Sequence, residues 1–103
     1  MSPFGGDPRK LMKQLQQAQE RMQQEIAALR IESTSGGGMV TVVMDGQKNL
    51  VSLKIEEQVV NKDDVDMLQD LVLAAVNDAA RKVDQAIQEK VGALTGGMKI
   101  PGF

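Results

Sequence analysis

The spacing of apolar residues changes twice along the chain, and each change marks a boundary between elements. Between residues 11 and 29 the apolar positions are Leu11, Leu15, Ala18, Met22, Ile26 and Leu29, separated by glutamine-rich polar runs. Steps of three and four describe one narrow stripe on a helix. Asp7 and Pro8 suit the start of that helix, since a carboxylate accepts a bond from an unpaired N–H and proline fits the first turn. The helix is expected to reach about Arg30, with a seam narrow enough to pack on another helix or on a second copy.

Alternation then replaces the helical spacing. Residues 31–35 (IESTS) tolerate an extended backbone and lead into Gly36, Gly37 and Gly38, read as hairpin geometry. Residues 39–44 read MVTVVM and residues 49–55 read NLVSLKI. Between them lie Asp45-Gly46-Gln47-Lys48, where Asp-Gly suits the positive φ of a tight hairpin turn. In the third strand Val51, Leu53 and Ile55 alternate with Ser52 and Lys54, which predicts one buried and one wet face. In the second, Val40, Val42 and Met44 point one way and Met39 and Val43 the other. Both faces are therefore expected to be covered, one of them by a second copy, and these five residues are the expected dimer interface.

Helical spacing returns near Asp64, with Asn61, Asp63 and Asp64 available as caps. Its expected buried stripe is Val65, Leu68, Leu71, Val72, Ala75, Val76, Ala79, Val83, Ala86 and Ile87. Residues 47 to 91 contain neither glycine nor proline, and Gly92 is the expected stop. Some 27 residues at about 1.5 Å each give a rod near 40 Å, whereas a compact domain of this size has a radius of gyration of about 13 Å. Such a helix has to protrude or pair. The expected organisation is an N-terminal tail at 1–7, one domain at 8–91 and a Gly/Pro-containing tail at 92–103. The fold class is α+β, a two-layer α-β-β-β-α unit with a three-stranded antiparallel meander.

Composition narrows the function. The 103 residues include no His and no Cys, which removes the usual proton shuttle, the thiolate nucleophile and the commonest zinc ligands. An enzyme is not expected, nor is a cofactor or metal. The acidic residues Asp63, Asp64, Asp66 and Asp70 read as a solvated helix start rather than an ion site. The triglycine lacks the Lys-Ser/Thr ending of a phosphate-binding loop. Ser33, Ser35 and Ser52 have no His partner and read as strand residues. No apolar run is long enough for a membrane span or a leader, so a cytoplasmic location is expected, with no membrane partner. Charge is uneven: residues 1–30 carry five basic and three acidic side chains, and the remainder seven basic and eleven acidic, for a net charge of −2. Arg9, Lys10, Lys13 and Arg21 on the first helix, and Arg81, Lys82 and Lys90 on the second, are the candidate phosphate-facing strips.

The order of parts and their local wording resemble the YbaB/EbfC family of bacterial nucleoid-associated proteins over nearly the whole chain. The resemblance rests on LMKQLQQAQERMQQEIAAL, on GGGMVTVVMDG leading into NLVSLKI, on DLVLAAVNDAARK, and on a Gly-Gly-Met then Pro-Gly tail. It implies a homodimer formed through the sheet region, with projecting helices that grip double-stranded DNA like tweezers. It further implies an effect on DNA conformation, nucleoid organisation and gene expression, and location in the nucleoid. Since no aromatic wedge or recognition-helix motif is visible, backbone and shape contacts with little base readout are expected. No small-molecule substrate is implied. The competing reading is a protein-interaction adaptor, in which the seam of the first helix docks a partner helix.

Overall fold

The structure, a computed structural model, describes residues 7–94. Its elements run α1 (Pro8–Ala27), β1 (Ile31–Ser35), β2 (Val40–Met44), β3 (Leu50–Ile55), a 3₁₀ turn (Glu57–Val59) and α2 (Val65–Leu94). The three strands form one antiparallel sheet in the order β1-β2-β3, the expected meander between two helices. Of the tails expected at 1–7 and 92–103, residues 1–6 and those beyond 94 lie outside the described residues, and residues 92–94 belong to α2.

The helix starts follow the sequence. Asp7 caps α1, its side chain accepting from the Arg9 N–H at 3.0 Å with Pro8 in the first turn, and the Asp64 carboxylate accepts from the Met67 N–H at 3.3 Å at the head of α2. The ends differ from expectation. Helix α1 stops at Ala27 rather than near Arg30. There the Arg30 guanidinium folds back to donate to the carbonyls of Ala27 and Leu29, satisfying end groups that further helical turns would otherwise have bonded. At the other end α2 passes through Gly92 and reaches Leu94. One glycine costs a helix only about 1 kcal/mol relative to alanine, too little to end so long a run of continuous hydrogen bonding.

The core lies between the sheet and α2. Val40, Val42 and Met44 of β2 meet Ala75, Ala79 and Val83 of α2, all buried. Alanines on the helix and serines on β1 let the two layers approach closely. The Ser33 hydroxyl donates to Asp78 Oδ2 at 2.5 Å, and the Ser35 hydroxyl to the Leu71 carbonyl at 2.6 Å, so neither is left unpaired under the helix. Val59, in a turn for which the sequence carries no clear signal, is also fully buried. Val65, expected in the buried stripe, is exposed in the first turn of α2.

Helix α2 packs over β1 and β2 and leaves β3 uncovered. The alternation of β3 therefore does not become a buried face: residues 50–54 are all exposed and Ile55 is half-buried. Val51 and Leu53, expected inside, are outside because the one helix available lies across the other two strands. Helix α1 likewise has no buried residue. With α1 standing off, the radius of gyration is 20.1 Å and the long axis 75 Å, far from the 13 Å or so of a compact chain this size.

The two hairpin turns show different uses of glycine. Gly36, Gly37 and Gly38 all have positive φ, as a turn of that handedness requires. Gly46 does not; the left-handed position of the second turn is Lys48, at φ 66°. Gly46 is needed for another reason, since a Cβ there would land on the Ile26 carbonyl of α1. Lys48 Nζ also reaches Asp84 of α2 at 2.8 Å, so this turn touches both helices.

Candidate nucleic-acid interface

The seven cations expected to face DNA fall into two electrostatic situations. On α1, Arg9, Lys10, Lys13 and Arg21 are exposed, and none belongs to an ion pair among the described residues. At about 100° per residue they lie within an arc of roughly 120°, interrupted by Glu20, and extend about 18 Å along the axis. That is the rise of about five base pairs. The opposite side of the helix carries the apolar seam. Its lower part, Ala18, Met22, Ile26 and Leu29, is half-buried, while Leu11, Met12 and Leu15 are exposed.

On α2 the cations are partnered. Arg81 Nη2 lies 3.4 Å from Asp78 Oδ1, Lys82 Nζ lies 3.2 Å from Asp78 Oδ2, and Lys90 Nζ lies 3.8 Å from Glu25 of α1. The Ser33 hydroxyl, followed by Lys82, holds the Asp78 carboxyl below the ordinary carboxylate range. In the β2–β3 turn, Asp45 is lowered chiefly by the Asn49 N–H, which it accepts at 2.9 Å along with that of Gln47. Sequence spacing is enough to suggest the pairing of Asp78 with Arg81 and Lys82, which stand three and four residues on. The Lys90–Glu25 pair cannot be read that way, because it depends on how α1 lies against α2. Both residues line a shallow groove with Ala18, Arg21, Met22 and Ala93, and this groove brings the two sets of cations nearest each other.

The five residues expected at a dimer interface also divide. Val40, Val42 and Met44 are occupied inside the protomer core, so their side chains are not available to a second copy. Met39 lies in the β1–β2 turn with its side chain partly exposed, and Val43 is half-buried on the far side of β2. Unforeseen from the sequence is an open apolar trough beside β3, lined by Ile55, Leu68, Val72 and Leu73, with the exposed Leu53 and Val51 on the adjacent strand. No local signal marks it, since β3 alternates as a covered strand does.

No group of acidic residues among the described ones could hold a metal ion, and no described helix is long and apolar enough to cross a membrane. The fold matches the crystal structure of an uncharacterized protein from Helicobacter pylori with a TM-score of 0.71, over 84% of this chain and 90% of that one, at 23% identity. By sequence the chain is 52% identical over 93 residues to a nucleoid-associated protein of Koribacter versatilis, covering 90% of this chain and 92% of that protein. It is 46% identical over 103 residues to one of Pelotomaculum thermopropionicum, covering 97% and 98%. Residues 5–98 match the model of the YbaB/EbfC DNA-binding family, and with near full-length relatives at 46% and 52% identity, the chain belongs to that family.

Proposed function

We propose that this chain binds duplex DNA as a homodimer, through phosphate contacts made chiefly by α1, and thereby organises the nucleoid and influences gene expression. The observation that carries the reading is the exposed cationic face of α1, a helix with no buried residue, whose four cations join no ion pair among the described residues. Two chains of −2 give a dimer of −4, so attraction has to come from this local strip, and binding is weak and salt-sensitive. The described residues present no aromatic side chain to wedge between base steps. Contacts to backbone and shape therefore dominate over base readout. The dimer is supported by the trough beside β3, whose apolar residues a second copy would cover.

The test is Lys10→Glu with Lys13→Glu. Both side chains are exposed, so the fold is retained while affinity falls across unrelated duplexes. The slope of log affinity against log salt becomes shallower by about 0.9 for each phosphate that is no longer neutralised. Unchanged affinity and slope would remove α1 from the interface. One observation favours the adaptor reading: Leu11, Met12 and Leu15 form an exposed apolar run on the other side of α1. Changing Leu11 and Leu15 to Ser leaves DNA affinity intact under the first reading, and abolishes partner capture under the second.

A further inference from the structure

Asp78 differs from an ordinary surface partner of Arg81 and Lys82. Its side chain is 37% exposed and faces both cations, but one oxygen is bonded at 2.5 Å to Ser33, which is buried on β1. A carboxylate on a free helix surface can rotate away when a phosphate approaches. This one is fixed to the sheet, and swinging out would leave the Ser33 hydroxyl without its acceptor beneath α2. The Arg81-Lys82-Asp78 cluster thus presents to any polyanion a net charge of +1 in fixed geometry, instead of two independent cations. No other acidic side chain pairs with Arg81 or Lys82 among the described residues.

Building on the DNA reading above, we propose that Asp78 is a positioning residue that restrains DNA affinity, holding Arg81 and Lys82 back from phosphates while Ser33 holds Asp78 in place. The α1 strip has no such restraint, so the two helices contribute unequally: α1 fully, α2 with at most about one phosphate neutralised per protomer.

Asp78→Asn keeps an oxygen to accept from Ser33 and removes the competing charge. Each cation released to a phosphate steepens the salt slope by about 0.9 and, by the same counterion-release relation, raises affinity about fivefold at 0.15 M salt. Asp78→Glu, which restores the charge, returns the slope toward wild type, a result that a purely structural role would not give. A wild type that binds duplex DNA while a folded Asp78→Asn variant shows an unchanged or shallower slope overturns the restraint and leaves the DNA reading standing. Absence of salt-dependent binding by wild type and variant alike overturns both. Should Asp78→Asn fail to fold, Arg81→Gln with Lys82→Gln decides the matter, since both residues carry exposed charges at the helix surface. A drop in slope of no more than about 0.9 per protomer supports the restraint, and a drop near 1.8 refutes it.

Discussion

Val42 and Leu53 are register partners on neighbouring strands, and their side chains point to the same face of the sheet. Val42 has no exposed surface, while Leu53 is 47% exposed. Alternation alone does not separate them, since each lies on the apolar face of its strand. It comes from α2, which lies across β1 and β2 and stops short of β3. Periodicity specifies which residues share a face; the number of elements available to cover that face decides which of them leave water. In this chain the cover runs out at the third strand.

The strongest way to break the comparison is to charge its buried member. Val42→Asp places a carboxylate without a partner in the core and should cost about 4 kcal/mol or more, enough to abolish the cooperative transition in chemical denaturation. A variant that melts like wild type would mean that β2 is not sealed. Leu53→Asp sharpens the contrast. The protomer should keep its secondary structure while the proposed dimer weakens by about 2 kcal/mol or more, roughly thirtyfold in dissociation constant, as read by sedimentation at micromolar concentration. Unfolding of this variant on dilution would show instead that β3 is needed inside one chain.

A smaller effect separates the sheet from α1. Gly46→Ala drives a methyl onto the Ile26 carbonyl, a strain of about 1–3 kcal/mol that only movement of α1 or the turn can relieve. Amide exchange should quicken in α1 and stay slow in β2. The smallest effect is one of pH. Asp45 has its folded pKa below the ordinary 3.8, chiefly through the Asn49 N–H. A depressed carboxylate stabilises the fold above its unfolded pKa, and that contribution disappears as pH falls through 3.8 and below. Asp45→Asn should therefore melt lower than wild type at pH 7, with the gap narrowing as the pH falls below 3.8.

Much of this is legible in the sequence. The strand and helix order, the Asp7 and Asp64 caps and the triglycine turn follow from local chemistry that the folded chain leaves in force. The covered and uncovered sheet regions are not legible, because the alternation of β3 matches that of a buried strand whether or not anything lies over it. Gly46 reads as a turn glycine when its role is to admit Ile26, a neighbour in space that lies in a different element of the chain. At the candidate interface, the basic residues can be counted from sequence but not their availability. Lys90 meets Glu25 only because the far end of α2 runs back beside α1.

Lys48 has a consequence for how this chain can drift. A side chain held at φ 66° sits at a strain of about 1–2 kcal/mol that glycine would not feel, while its exposed bridge to Asp84 returns only about 0.2–1 kcal/mol. Backbone ease and side-chain tether therefore pull this position in opposite directions, and neither wins by much. A lineage that exchanged Lys48 for glycine would relax the turn and at once free position 84 from any need for acid. The hairpin's hold on α2 is the trait that such an exchange lets go.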